Sequence, residues 1–556
     1  MNNIKQTIAI AATILGIMTV QCQALTIWHV TDIHVMAPEV CKNRGKAWEK
    51  YNIQLPQLDF ESPVLLQAII DSALIYKPDI VIISGDLTKS GERPSHELVA
   101  KMLKPLMESK EIKTYVIPGN HDLYNPTAYI FDGDEVKRDP GITEDEFRQL
   151  YYHFDEADAV RYDKTTLSYI AYPNDELALL CMDSNDWSTA TWNGTETPDT
   201  IDNVSCPGKY SEATLQWMES EAKAAIESGR RVFVVQHQTL FEHFDNESAL
   251  LSSNLINPKD SIITRDVIIQ RMADAGIEVV FSGHRHFTDI NYMITETGQK
   301  VWEVNTGSAS HIRPQYRVCS LDDNKLNVST VVMRNVDLDG KGTPTDEYAS
   351  KMLYDTRKEF CRSICFTIWP SVQKVFTEFT AVPFQLNLPS TFDQFRDMIE
   401  RHFADDITKM YLDFAIGNEH LNDYTEFIDK VQDDIDAAIL EICYGNEDLK
   451  SAMMALLPLL LDGLDIATIA KDYLASPFGN YLSANGGEII DDQNCIIPLA
   501  APHGIEDGIV EHKSQNGKIG GAITGDTAIY DLSGRKINAQ SLPHGIYIVA
   551  GRKTIK

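Results

Sequence analysis

Basic residues are scarce in this chain. It carries 49 Lys and Arg against 81 Asp and Glu, a formal net charge of -32, and a field of that sign repels nucleic-acid backbones and anionic lipids. No nucleic-acid polymer is therefore expected as a partner. A small phosphate-bearing substrate remains admissible, because bound cations reverse the sign locally. Long apolar runs are also missing. The run over 8–20 falls short of the ~20 residues a spanning helix needs. Asn2, Asn3 and Lys5 precede it and Cys22-Gln23-Ala24 follows, so 1–24 reads as an export signal. Lipidation at Cys22 is disfavoured by Gln21, which stands where a small residue is expected. A second run, 452–461, is interrupted by Pro458 and ends at Asp462; it reads as part of a buried helical hairpin over 449–473. Cysteine spacing excludes a zinc knuckle, since Cys361 and Cys365 have no second pair nearby. Cys181 lies in an apolar run and reads as a buried free thiol. No internal repeats are evident.

At 556 residues the chain calls for two to four domains, and 43% hydrophobic with 23% charged residues describes a globular protein. From 25 to 334 short apolar strands alternate with amphipathic helices, an α/β pattern. Strands are predicted at 26–30, 79–83, 114–117, 177–182, 231–235, 278–281 and 301–305. Ser62-Pro63 opens one helix, Ser211 opens another that stops at Gly229, and a third runs from Asp266 to Ala275, closed by Gly276. The segment 335–347 reads as a linker and 348–484 as a mainly helical domain without a chemical motif. A second linker, 485–524, leads to a β-textured tail over 525–556.

Five short segments stand at the carboxyl ends of predicted strands: Asp32-Ile33-His34, Gly85-Asp86, Gly119-Asn120-His121-Asp122, His237, and Gly283-His284-Arg285-His286. Strand ends on one edge of an α/β sheet are where loops converge on a ligand. Carboxylate, imidazole and amide donors suit Mn, Fe, Zn or Mg, and no thiolate is among them.

These five blocks, in this order, resemble the calcineurin-like metallophosphoesterases. The resemblance implies a four-layer α/β/β/α sandwich over 25–334 and two divalent metal ions. Position by position, Asp32, His34, Asp86 and His286 resemble one metal's ligands, and Asp86, Asn120, His237 and His284 the other's, with Asp86 shared. His121 resembles the catalytic histidine over the leaving group. Two cations ~3.5–4 Å apart can clamp an in-line displacement and generate a bridging hydroxide that attacks phosphorus, and His121 can donate a proton to the departing alkoxide. Asp122 is expected to orient that imidazole. His311 and Arg313 are expected to border the site, whereas His29, His96, His153, His243, His402 and His420 read as ordinary residues. Gln238 replaces the second His that many relatives carry after the lone ligand, a change expected to alter substrate contacts. The Asp86 segment has no Tyr of the kind that marks purple acid phosphatases.

Ser84-Gly85-Asp86-Leu87-Thr88 with Gly91, and Pro118-Gly119-Asn120-His121-Asp122, look most like the phosphodiesterase branch. The expected partner is a small phosphoester. A phosphomonoesterase is the alternative, since specificity resides in loops; the candidates are 36–60, 124–145 and 183–209, the last with Trp187 and Trp192. A catalytically inactive binding protein on the same scaffold would show ligand loss, and no ligand is missing. The tail, with Tyr530-Asp531-Leu532-Ser533-Gly534 and Gly545-Ile546-Tyr547, resembles the type IX secretion sorting domains of Bacteroidetes. That implies engagement of export machinery and a periplasmic, surface or extracellular location.

Overall fold

Runs rich in Ile, Val and Leu become strands buried on both faces, as parallel strands require. The computed structural model describes residues 24–51, 57–154, 159–189, 206–242, 256, 263–322, 324–355, 385–415, 424–460 and 491–500. It also describes helical positions 365, 369, 373 and 376 and four short strands beyond 528. The export segment, except Ala24, and residues 461–490 lie outside that set. The strands begin with β1 (Leu25–Val30), β2 (Cys41–Arg44), β3 (Ile80–Ser84), β4 (Lys113–Ile117), β5 (Tyr129–Gly133) and β6 (Glu135–Arg138). Next come β7 (Arg161–Tyr162), β8 (Tyr169–Ala171), β9 (Leu177–Cys181), β10 (Arg231–Val235) and β11 (Val279–Ser282). Then follow β12 (Asp289–Ile294), β13 (Lys300–Asn305), β14 (Gln315–Asp322), β15 (Lys325–Val332) and β16 (Asn494–Pro498).

Two mixed sheets result, ordered β16-β15-β14-β1-β3-β4 and β12-β13-β11-β10-β9-β8-β7. Within them β1, β3 and β4 run parallel, as do β9, β10, β11 and β13. Side chains alternate across each strand, and the alternation sorts the core. Ile27, Ile80, Ile82 and Ile117 of the first sheet meet Leu177, Leu179, Phe233 and Phe281 of the second. On the outer face of the first sheet, Val81, Ile83 and Val116 pack with Leu65, Leu66, Ile69, Ile70, Val99 and Leu103, from helices Ser62–Tyr76 and Arg93–Met107. On the outer face of the second, Leu180, Val232 and Val280 pack with Leu215, Met218, Ile268 and Met272, from helices Glu212–Glu227 and Arg265–Asp274. The order is helices, sheet, sheet, helices.

Ser211 caps its helix by accepting from Thr214 N, and Gly229 after that helix has φ +87, the left-handed turn that favours glycine. Ser62 differs from expectation. Glu61 is the N-cap, and the Ser62 hydroxyl donates to Asp59 O at 2.7 Å and accepts from Met36 N at 3.1 Å, tying down the preceding loop. The candidate loops 36–60 and 124–145 also hold regular structure. They contribute β2, β5 and β6 to a small sheet, and Tyr129 and Phe131 of β5 cluster with Met36, Val40 and Trp48 from the first of these segments.

The region after β15 contains helices Thr345–Asp355, Phe392–Ala415, Tyr424–Ile442 and Glu447–Leu460. Phe395, Met398, Ile439, Ile442 and Met453 make its core. The last helix continues through Pro458. Among the described residues no helix is long and apolar enough to cross a membrane. The first of these helices packs on the sandwich, with Ala349 in the outer core and Tyr348 Oη donating to Glu61 Oε1 at 2.8 Å. The chain then returns. Although 485–524 reads as a linker, Asn494–Pro498 pairs antiparallel with β15 and extends the first sheet. Residues 505–556 are a separate compact unit holding β17 (Ile529–Tyr530), β18 (Lys536–Ile537), β19 (Ile546–Val549) and β20 (Arg552–Ile555), in the order β18-β17-β19-β20. The described cysteines, Cys41, Cys181, Cys206, Cys319, Cys365, Cys443 and Cys495, are free thiols.

The returning strand provides a test of the fold. Ile497 is fully buried and Ile496 is 62% exposed. Ile497→Ala is expected to lower stability by about 2–4 kcal/mol, and Ile496→Ala by less than about 0.5 kcal/mol. Denaturant unfolding of the two variants measures the difference.

Candidate metal centre

All five motif blocks follow directly on strands that share a carboxyl edge: β1, β3 and β4 in one sheet, β10 and β11 in the other. Reversing a chain within two residues of a strand end forces unusual backbone. Nine non-glycine residues have positive φ among the described residues, and five of them are Asp32 (+51°), His34 (+46°), Asp86 (+48°), His284 (+67°) and His286 (+62°). Each such conformation costs about 1–3 kcal/mol and persists only where its surroundings over-determine it. Here backbone bonds between loops do so. Asp32 N, His34 N and Val35 N donate to Gly85 O, Asp86 O and Leu87 O at 2.9–3.1 Å, and Gly283 N donates to His237 O at 2.9 Å. Two glycines permit the close approach. A Cβ on Gly119 would collide with the backbone and carboxylate of Asp86, and one on Gly283 with Thr31 and Asp32.

The side chains gather into two groups that share one carboxylate. Asp32, His34, Asp86 and His286 each offer a donor atom within 4.8 Å of the others, as do Asp86, His237 and His284. Asp86 Oδ1 accepts from His121 N at 2.8 Å, while its Oδ2 stands 3.6 Å from His34 Nε2 and 3.2 Å from His237 Nε2. Asn120 joins the second group, its Oδ1 3.0 Å from His237 Nε2. His237 Nδ1 donates to Ser84 O at 2.8 Å, which directs Nε2 inward. Asp32 Oδ2 accepts from Thr31 Oγ1 at 2.8 Å and His284 N at 2.9 Å.

This arrangement calls for positive charge. Burial opposes ionisation of Asp86, yet His237, His121 and His34 hold its carboxyl well below the usual range. Burial likewise opposes a proton on His237, but Asp86 and Asp32 push it up to about 9. Burial and neighbouring imidazoles hold His34 and His284 well below the usual range, leaving lone pairs. His34 Nε2 and His286 Nε2 face each other at 3.0 Å. Buried carboxylates, imidazoles and an amide oxygen fit a pair of divalent cations, whose charge would take the place of the His237 proton.

His121 borders the first group, its ring 5.1 Å from that of His34 and nearly perpendicular to it. Its orientation differs from expectation. The Asp122 carboxylate is turned away into the loops, accepting from Leu87 N, Thr88 N, Thr88 Oγ1 and Gly119 N at 2.8–3.1 Å. His121 Nδ1 instead lies 2.8 Å from Lys89 O. A carbonyl only accepts, so Nδ1 carries hydrogen and Nε2 the lone pair. Burial raises Asp122 to about 7, with the Asp86 charge adding to the effect.

The other candidates sort by contact. Gln238 is fully buried; it accepts from Ser184 Oγ and donates to Asn185 Oδ1 at 2.6 Å. It therefore ties loops together, contrary to the expected substrate contact. His311 is buried with its ring 5.1 Å from that of His286. His29 and His96 are buried residues, bonded to Ser84 and Thr306 and to Tyr151 and the Asp122 carbonyl. Trp187 donates to Asp183 Oδ2 at 2.9 Å and meets Tyr124 edge-on at 6.0 Å. Trp192 lies outside the described residues. Sequence reading missed Thr31 and Lys89; the role of Lys89 here is that of a backbone carbonyl, which no side-chain motif marks.

Residues 25–287 match the sequence profile of the calcineurin-like phosphoesterases. The chain is 24% identical over 250 residues to the Danio rerio serine/threonine-protein phosphatase CPPED1, covering 44% of this chain and 63% of that protein. It thus spans less than two thirds of that relative. Among solved structures, a dimetal phosphatase from Danio rerio aligns at TM-score 0.38 and 12% identity, over 55% of this chain and 96% of that one. PhoD aligns at TM-score 0.34 and 11% identity, over 56% and 66%.

The position of Asp122 leads to a test. Asp122→Asn places an amide N–H among donors and should loosen the loops that carry Asp86 and Asn120. Affinity for Mn or Zn is expected to fall about 10–100-fold, read by competition with a chromogenic chelator. Unchanged affinity with slowed turnover would instead restore Asp122 as the group that orients His121.

Proposed function

We propose that the chain, whose residues 25–287 match the calcineurin-like phosphoesterase profile, hydrolyses phosphate esters, preferring diesters. In this reading Asp32, His34, Asp86 and His286 hold one divalent cation, and Asp86, Asn120, His237 and His284 the other. The observation that carries it is Asp86, the one residue common to both donor groups. Bound cations would supply Lewis acidity toward phosphoryl oxygen and acidify coordinated water. The side chains contribute orientation and proton transfer. His121 keeps Nδ1–H on Lys89 O, so its Nε2 lone pair is the atom that can take up a proton from water and donate it to the leaving oxygen as the P–O bond breaks. Burial lowers the His121 pKa, partly offset by Asp86, which favours prompt release of that proton.

The motif resemblance supports the diester preference, as does the Tyr124–Trp187 pair. Tyr124 follows His121 by three residues and is 37% exposed, an aromatic surface suited to a second ester substituent. A monoester preference is the second reading, supported by the name of the CPPED1 relative. Export is proposed as well, on the N-terminal segment and the sorting-like tail.

Metal-loaded protein is expected to show higher kcat/KM on bis-p-nitrophenyl phosphate than on p-nitrophenyl phosphate; the reverse order would establish the monoester reading. His121→Ala should retain both metals and lose about 10²–10⁴-fold in turnover of alkyl esters, with loss of a metal counting against its role. Removing 525–556 should hold the protein in the periplasm, and unchanged export in cell fractionation would sink the sorting proposal.

A further inference from the structure

The group that orients His121 is itself anchored. Lys89 N donates to Val35 O at 3.1 Å, ending the short ladder that joins the two ligand loops. Just beyond it Gly91 turns the chain at φ +79. At its other end, Lys89 Nζ reaches Asp59 Oδ2 at 2.8 Å. Both residues are buried, Lys89 to 8% exposure and Asp59 to 2%. Asp59 lies on a segment tied to the same centre. Leu58 N donates to Ser310 O at 2.8 Å, Ser310 Oγ donates to Asp32 O at 3.3 Å, and Ser62 Oγ donates to Asp59 O at 2.7 Å.

Nothing in the packing alone accounts for a buried ion pair at this point. Two charges withdrawn from water gain little stability over apolar side chains of equal volume. Asp59 is also incompletely satisfied, since its Oδ1 is buried with no hydrogen-bond partner. What the pair does provide is a fixed direction for the Lys89 main chain, held at the amide by Val35 and at the ammonium by Asp59. The carbonyl between those anchors receives His121 Nδ1–H. Asn125 Nδ2, 3.3 Å from the same nitrogen, competes by offering a hydrogen, which would draw the opposite tautomer. A displaced Lys89 carbonyl would therefore change which nitrogen of His121 carries hydrogen.

We infer that the Asp59–Lys89 ion pair is a positioning device for His121, fixing its tautomer and aim through the Lys89 carbonyl. The effect on turnover rests on the phosphoesterase reading; the effect on the imidazole does not. The test replaces the pair without stranding a charge, using Asp59→Leu/Lys89→Met, with Asp59→Asn/Lys89→Gln as a second variant should the first fold poorly. In Zn-loaded, ¹⁵N-labelled protein, the His121 ring signals, assigned by their loss in His121→Ala, should report hydrogen on Nδ1. In the pair variants they should shift toward the other tautomer. Turnover of an alkyl ester should fall about 10–100-fold, more than that of a p-nitrophenyl ester. In a His121→Ala background the same substitutions should add little, because coupled residues are not additive. Unshifted ring signals would overturn the inference whether or not the protein is active. Fully additive losses, or loss of bound metal, would assign the pair to structure alone. An inactive but metal-loaded parent protein would count against the phosphoesterase reading and leave the ring signals to decide this one.

Discussion

One buried carboxylate governs the architecture of this centre. Asp86 is 1% exposed, and its two oxygens face in different directions, Oδ1 toward the His121 amide and Oδ2 toward His34 and His237. Such a group is tolerated inside a protein only with positive charge and hydrogen bonds around it. Here they come from three different loops. That requirement fixes Gly119, whose missing side chain leaves room for the Asp86 carboxylate. It also explains Asp122, whose carboxylate gathers the amides of Leu87, Thr88 and Gly119 and so joins the loop carrying Asp86 to the one carrying Asn120 and His121.

The two-sheet sandwich makes that junction affordable. Five strained residues in one small region amount to several kcal/mol of unfavourable backbone, which the apolar core between and outside the sheets must offset. The strands leading into the loops are fully buried runs such as Ile80–Ser84, Arg231–Val235 and Val279–Ser282. A rigid strand end fixes where the next residue begins, and the bonds between loops fix where it points. Placement of donors to within a fraction of an ångström follows from that combination.

Much of this was legible in the sequence, for an identifiable reason. Buried parallel strands are continuous apolar runs, so β1, β3, β4, β9, β10, β11 and β13 lie within a residue of their predicted bounds. The ligand-type residues stand immediately after them. What escaped was written in other terms. β14 and β15 alternate polar and apolar residues, and β14 buries Arg317, a residue usually read as exposed. β16 is five residues in Gly- and Asp-rich surroundings, and only its pairing with β15 marks it as a strand. Asp122 was assigned to His121 because it is adjacent in sequence, whereas adjacent side chains at a sharp turn diverge. The actual partner, the Lys89 carbonyl, belongs to the backbone and leaves no trace in residue type.

The division between what was legible and what was not also bears on specificity. The donor set depends on strand ends and a handful of glycines, features local to each motif. The groups that aim His121 depend on Asp59, 27 positions before Asp86 in the chain, and on a small sheet built from two segments that read as loops. Those segments carry the cluster around Trp48, Tyr129 and Phe131, and Trp48 lies 5.5 Å from Lys89 Nζ. A change in this outer sheet can therefore reach the His121 imidazole through Asp59 and Lys89 while leaving every metal donor in place. In the proposed phosphoesterase reading, an unchanged donor set can in this way serve different esters: the donors would set the chemistry, and the surrounding segments would set how His121 meets the leaving oxygen.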